Sequence, residues 1–260
     1  MSTPDLEYTG LMALAWDPLR GDTSDWPDRA WFRALIDEVG QPVLDVGCGT
    51  GRLLLDFLSQ GVDIDGVEIS TDMLDLLRAK ASEAGLVVDG RVHEGAMESM
   101  ALPRRYRLVM VPSSSFQLLV DPVVAAEAMR RFHDHLAPGG ALAMSWIDLA
   151  ADHPDGADDV SEDEATLPDG SVVRRCYRAW YDQAAGLEST EDRYQLLRDG
   201  RVVAQERKVR DPAVRGYTHA AIGALHRAAG FEAPVLWSGF TRDPARGDER
   251  VVTSVAWRPG

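Results

Sequence analysis

Apolar positions fall first on a helical period and then on short unbroken runs. Over residues 25–39, Trp31, Leu35, Ile36 and Val39 share one face and predict a helix. Ser24 or Asp25 is positioned to cap it, Pro27 lies in its first turn and Gly40 stops it. The run from Val43 to Val46, followed by glycines, predicts a buried strand, and Leu53, Leu54, Leu55, Phe57 and Leu58 predict a helix over 51–60. The alternation continues with a strand at about 63–68 and a helix at about 71–84, capped by Ser70 or Thr71 and closed by Gly85. Strands follow near 86–93 and at 108–111, then a helix from Asp121-Pro122 to about Leu136. Pro138-Gly139-Gly140 breaks that helix before a strand from Ala141 to Trp146. Strands alternating with helices over ~110 residues predict an α/β fold with a parallel sheet covered on both faces.

Beyond residue 147 the pattern changes. Residues 148–170 are rich in Asp and Glu with scattered Gly and Pro, which predicts a solvated loop without chemistry. Two long strand-like stretches follow, 171–182 and 189–210, the second folded back at Asp199-Gly200, a hairpin signal. Thr218 caps an expected helix ending at Gly230, and strands at 233–239 and 250–257 finish the chain.

Composition narrows the function. The 260 residues are 45% hydrophobic, enough for a substantial core, and the net charge is −15. That sign repels phosphate backbones and acidic membrane surfaces, so neither nucleic acid nor a membrane is an expected partner. Cys48 and Cys176 are too few for a disulfide framework and lack zinc-ligand spacing, so no metal is expected. The segment Met1–Gly10 lacks the basic patch and apolar run of a signal peptide, and no stretch reaches the ~20 apolar residues of a membrane span. A cytoplasmic location is the expectation.

The candidate chemistry sits at Val43-Leu44-Asp45-Val46-Gly47-Cys48-Gly49-Thr50-Gly51-Arg52, a strand feeding a glycine-rich turn. Glycines let the backbone turn sharply and let a ligand approach without a Cβ in the way, and free amides at a helix start can hold a polar ligand. The spacing is G-x-G-x-G, with Arg52 where a dinucleotide fold would place its last glycine, which disfavours nicotinamide and flavin cofactors. No Gly-Lys-Ser/Thr follows, which excludes a phosphate-loop NTPase.

The segment resembles motif I of class I S-adenosylmethionine-dependent methyltransferases. Three further segments fall where that family has its signatures: Ile64-Asp65-Gly66-Val67-Glu68, Glu94-Gly95-Ala96-Met97 and Leu136-Ala137-Pro138-Gly139-Gly140. The resemblance implies a Rossmann-like seven-stranded sheet of order 3-2-1-4-5-7-6 with its seventh strand antiparallel, and S-adenosylmethionine as cofactor. It implies Glu68 as the acceptor of the ribose hydroxyls, and Ile69 through Met73 as apolar flanks for the adenine. Ala96 stands where the family often has an Asp, so adenine would rely there on backbone groups and on Met97. More loosely, the chain is similar to small-molecule methyltransferases that N-methylate amino sugars and related metabolites. That likeness adds Trp16, in Trp16-Asp17-Pro18-Leu19, as a lid over the cofactor, and Pro112 and Ser113 beside it. The resulting cofactor set is Trp16, Asp45, Gly47, Cys48, Gly49, Gly51, Arg52, Glu68, Ile69, Met73, Ala96, Met97, Pro112 and Ser113. Cys48 is read as a small residue whose amide faces the cofactor.

The division expected is a helical cap (1–40), a cofactor-binding core (41–147), an acidic loop and antiparallel lid (148–212), and a C-terminal completion of the core (213–260). Methyl transfer is an in-line displacement in which the protein supplies position and exclusion of water. The acceptor is expected to be a small molecule methylated on N or O, with Ser115, Phe116, Gln117 and Tyr181 as candidate contacts. Tyr177 and Tyr181 would share one face of their strand and Trp180 the other. His93, His133, His135 and His219 are poor candidates for a general base, and none is assigned. A non-catalytic S-adenosylmethionine-binding protein on the same fold is the alternative, and a homodimer is left open.

Overall fold

In the computed structural model, residues 8–149 and 159–260 are described, with the Asp159 side chain outside the description. The first half contains α1 (Gly10–Arg20), α2 (Pro27–Val39), β1 (Val43–Val46), α3 (Leu54–Ser59), β2 (Ile64–Glu68), α4 (Thr71–Glu83), β3 (Val92–Glu94), β4 (Tyr106–Val111), α5 (Pro122–His135) and β5 (Leu136–Ile147). The second contains β6 (Asp159–Thr166), β7 (Val172–Asp182), β8 (Leu187–Arg198), β9 (Arg201–Arg215), α6 (His219–Ala228), β10 (Val235–Ser238) and β11 (Val251–Trp257). These form two units, Met1–Ser24 with Leu149–Gly216, and Asp25–Asp148 with Tyr217–Gly260. The segment expected to act as one cap over 1–40 is thus shared between the units.

The larger unit holds a seven-stranded sheet ordered β3-β2-β1-β4-β5-β11-β10. Counted along this unit, that is the expected 3-2-1-4-5-7-6. Strands β1 to β5 run parallel, and β11 is antiparallel to β5. All four β1 residues are buried because β1 is hydrogen-bonded on both sides, to β2 and β4, and covered on both faces. One face packs Val46, Val109, Val111, Leu142 and Met144 under Phe132, Met129 and Ile222 of α5 and α6. The other packs Val43, Ile64, Leu108 and Met110 under Phe32, Leu35, Leu54, Phe57, Leu74 and Leu77 of α2, α3 and α4.

Several local expectations are corrected. The cap of α2 is Trp26, without a side-chain bond, because Pro27 needs an extended residue before it; the Ser24 amide donates to Asp22 instead. Helix α3 begins only at Leu54, since Gly47, Gly49 and Gly51 all have positive φ and no helix can start among them. The strand expected over 86–93 shrinks to Val92–Glu94 because Val88-Asp89-Gly90-Arg91 turns, with the Arg91 amide donating to the Val88 carbonyl. β5 reaches back to Leu136 through an irregularity in its pairing with β4, so Pro138-Gly139-Gly140 is a bulge. Ser70 does cap α4, its Oγ accepting from the Met73 amide at 3.2 Å.

In the smaller unit β6-β7-β8-β9 make an antiparallel sheet. The hairpin turn is where the sequence places it, with φ of +49° at Asp199 and +71° at Gly200. Part of the expected acidic loop is instead the edge strand β6. Its Glu162 and Glu164 lie beside Arg174 of β7, and such cross-strand pairs give an acidic segment a reason to be extended. Asp152, Asp155 and Asp158 lie outside the described residues. Helix α1, with Pro18 inside it, lays Leu11, Met12 and Ala15 on Leu167, Val173 and Tyr194.

Candidate active site

The strand order reverses between β1 and β4, and ligands of open α/β sheets bind outside the carboxyl ends of the strands at that point. The glycine turn leaves β1 there, Glu68 ends β2, and Pro112 follows β4.

The turn is closed on itself. The Gly47 and Cys48 amides donate to the Val67 carbonyl at 2.8 and 3.1 Å, and the Gly51 amide donates to the Cys48 carbonyl at 2.9 Å. The Gly49 amide donates to Glu68 Oε2 at 2.9 Å. These donors are spent, so the expectation of amides facing a ligand, Cys48 among them, is corrected. The Cys48 side chain points inward, its Sγ 2.8 Å from where a Cβ at Gly66 would sit. Burial pushes its thiol well above the usual range, so it is no nucleophile.

What the turn offers is space and negative charge. At Gly49 (φ +54°) an added Cβ would meet nothing within 4 Å. At Gly47 (φ +70°) a Cβ would lie 3.2 Å from Ser115 Cβ and 3.3 Å from Met97 Cε, so three expected site residues converge there. Gly51 differs: its Cβ would press on Leu55 and Leu77, so this glycine serves packing. Glu68, 7% exposed, also accepts from the Ser70 amide at 2.9 Å through Oε1. The Gly95 amide donates to the Glu68 carbonyl at 2.9 Å, which brings Ala96 to the end of β2. Ile69, Ala96 and Met97 are half-buried, and Met73 is buried.

Asp45 is buried and its Oδ1 has no hydrogen-bond partner. Burial raises its pKa to about 7 against the pull of Arg52, with Glu68 and Asp28 adding to the rise. Arg52 is held away from solvent by Asp28, Nη1 donating to Oδ1 at 3.0 Å, and by the Trp26 ring 4.9 Å away. Sequence reasoning missed Asp28; a buried acid in the first turn of α2 reads as an ordinary helix-dipole residue until its partner is known.

After β4 the chain takes two consecutive left-handed residues, Ser113 (φ +55°) and Ser114 (φ +58°). Such backbone is costly for non-glycine residues and gathers at functional sites. It is pinned by the Ser114 amide donating to Ser145 Oγ at 3.1 Å and by Ser115 Oγ donating to the Pro112 carbonyl at 2.9 Å. Phe116 and Gln117 are corrected as acceptor contacts. Phe116 is fully buried among Phe132, Trp146 and Tyr217, and the Gln117 amide exchanges hydrogen bonds with the Ile147 backbone. Trp16 and Tyr181 belong to the smaller unit, Trp16 packing edge-on to Tyr8 and under Arg20. The His135 ring is bonded to the Leu102 amide and the Arg131 carbonyl, and His133 packs against Phe231.

Residues 43–140 match the family model described as a methyltransferase domain. The match takes in β1 to β4 with the glycine turn and Glu68, and reads this segment as a methyltransferase domain. The chain is 30% identical over 146 residues, 54% of its length, to a dTDP-3-amino-3,6-dideoxy-alpha-D-glucopyranose N,N-dimethyltransferase of Streptomyces fradiae, 55% of which is covered. It spans about half the length of the curated relatives it matches. The CcbJ methyltransferase from Streptomyces caelestis has the same fold over all of both chains, at 24% identity and a TM-score of 0.75. A sugar N-methyltransferase from a Streptoalloteichus species matches 93% of this chain with 91% of its own, at 24% identity and a TM-score of 0.70. Among the described residues no helix is long and apolar enough to cross a membrane, and no group of His, Cys, Asp and Glu is placed to hold a metal ion.

Proposed function

We propose that the protein binds S-adenosylmethionine at the glycine turn and transfers its methyl group to a nitrogen or oxygen of a small-molecule acceptor. The observation that carries this reading is the open cradle at Gly47 and Gly49, flanked by Glu68 and by the unpartnered Asp45 Oδ1. A phosphate-bearing cofactor would draw on the turn's amides, and those of Gly47, Cys48, Gly49 and Gly51 are already bonded to Val67, Cys48 and Glu68. Carboxylates beside glycine amides already engaged suit a cationic ligand with a diol.

Glu68 would hold the ribose hydroxyls, and Asp45 would face the positive amino-acid end of the ligand. Ile69, Met73, Ala96 and Met97 would flank the adenine, while Cys48, Gly51, Arg52, Pro112 and Ser113 complete or support the wall. When bound, the cofactor supplies a methyl already made electrophilic by its sulfonium. The chain's own part is to fix the acceptor in line and to keep water out. The rigid Pro112–Ser115 turn is suited to that positioning, with Ser115 beside Gly47. The likeness to an amino-sugar N,N-dimethyltransferase makes amines the first acceptors to try. An amine arriving unprotonated needs no general base.

The test is calorimetric titration with S-adenosylmethionine, then release of S-adenosylhomocysteine with amino sugars and phenols as acceptors. Saturable binding with turnover is the expected result. Absence of binding would remove the proposal.

A further inference from the structure

Asp45 shares its buried surroundings with three charged groups: Arg52 from the glycine turn, Glu68 from the end of β2 and Asp28 from α2. Its neighbours across the ladder, Gly66 on β2 and Met110 on β4, are uncharged, and Cys48 on the turn keeps its proton. Both oxygens of Glu68 accept backbone amides, from Gly49 and Ser70. Arg52 is the cation of the group, and two carboxylates compete for it. It takes Asp28: Nη1 donates to Oδ1 at 3.0 Å and Nη2 donates to Oδ2, with the Trp26 ring 4.9 Å from the guanidinium. The paired side chains are 13% and 5% exposed. Asp45 Oδ1 is left without a hydrogen-bond partner.

Helix α2 decides this competition. Pro27 opens the helix and Asp28 lies in its first turn, where the helix dipole favours an anion. Trp31, Phe32, Leu35 and Ile36 fasten the same helix to the sheet, so the Asp28 carboxylate is delivered to a fixed place. A guanidinium fork met by a carboxylate at both Nη atoms is held in one orientation. Without Asp28 the fork would be free to turn to Asp45, bond its open oxygen and cancel the charge that a cationic ligand requires. With Asp28 in place, Arg52 still draws the Asp45 pKa down against burial, yet makes no hydrogen bond to Oδ1.

We propose that Asp28 is a positioning residue for the cofactor: it holds Arg52 off Asp45 and so keeps the Asp45 carboxylate for the ligand's ammonium group. The proposal rests on the reading that S-adenosylmethionine binds at the glycine turn, and it adds how the cationic end of that ligand finds an acid that no cation has taken.

The test is calorimetric titration of the full chain with S-adenosylhomocysteine, which carries the same ammonium group, between pH 6 and 8. In wild type, binding should tighten about tenfold over that range as Asp45 ionises through about pH 7. Asp28→Asn should lose that slope, because Arg52 now pairs with Asp45, and should bind about tenfold more weakly at pH 8. Asp28→Asn with Arg52→Gln removes the competing cation and should recover wild-type affinity at pH 8 to within about threefold. A wild-type slope in Asp28→Asn, or a double variant as weak as the single one, overturns the proposal; a bridge that only braced the turn would give the second result. If Asp28→Asn does not fold, carboxyl-carbon NMR of the wild type decides. Adding S-adenosylhomocysteine at pH 6.5 should move the Asp45 carbon to its ionised position and leave that of Asp28 in place, and movement of Asp28 instead overturns the assignment. The clamp is also read without ligand: the Asp45 midpoint should fall from about 7 in wild type to about 6 or lower in Asp28→Asn, and an unchanged midpoint overturns the proposal. A wild type that binds no S-adenosylhomocysteine at any pH would instead remove the reading of the cofactor, and the two failures are told apart.

Discussion

Removing the Glu68 carboxylate tests the site most directly, and the structure says which substitution to use. Its two oxygens accept from the Gly49 and Ser70 amides at 2.9 Å each, in a site 7% exposed. Glu68→Ala would strand both donors at ~1–3 kcal/mol apiece, so the turn itself would loosen and a loss of binding would be ambiguous. Glu68→Gln keeps the shape and one acceptor oxygen, and strands one donor at most. Its folding cost should be about 1–3 kcal/mol, a fall of several degrees in Tm for a chain of this length. If the carboxylate also accepts from ribose hydroxyls, the charged bonds lost are worth about 1.5–3 kcal/mol, or roughly 10- to 150-fold in Kd. Calorimetry with S-adenosylhomocysteine below the variant's Tm reads the second effect free of the first. A folded Glu68→Gln protein whose Kd is within twofold of wild type would refute the ribose contact and leave Glu68 as a clamp on the turn.

Gly49→Ala meets no protein atom within 4 Å, so it should cost only the left-handed backbone, ~1–2 kcal/mol. A loss of cofactor affinity beyond tenfold, read by calorimetry, would then place the ligand in that open space, and unchanged affinity would exclude it. Gly66→Ala would drive a Cβ into Leu54 Cδ1 and to 2.8 Å from Cys48 Sγ, an overpacking cost of about 1–3 kcal/mol visible in thermal melts. Asp45 should tie stability to pH. Its folded pKa, about 7, lies above the unfolded value near 3.8, so between those values the folded state binds more protons than the unfolded one. Its contribution is complete below about pH 4 and is lost as pH rises through about 7. Melts of the ligand-free protein should show Asp45→Asn gaining on wild type from pH 6 to 8, and parallel curves would contradict this.

The local pattern determined a good deal of this protein. Short apolar runs alternating with 3.6-period stretches require a covered parallel sheet, and the G-x-G-x-G spacing with Glu68 marks the turn at which the proposed cofactor would meet it. The Asp199-Gly200 hairpin and the Ser70 cap were equally legible, because turns and caps are set by neighbours a few residues apart. What the chain could not disclose locally came from distant partners. Whether the turn's amides are free depends on the Val67 carbonyl and the Glu68 carboxylate, which only the β1–β2 pairing delivers. Phe116 and Gln117 look like site residues beside Ser115, and it is the packing of Trp146, Tyr217 and the Ile147 backbone that takes them into the core. The acidic segment at 159–166 has no apolar alternation to announce a strand; Arg174 across the ladder supplies its reason to extend. Asp28 acquires meaning only when α2 brings it to Arg52. Periodicity and turn chemistry are properties of adjacent residues, whereas burial and hydrogen-bond satisfaction belong to contacts that exist only after folding.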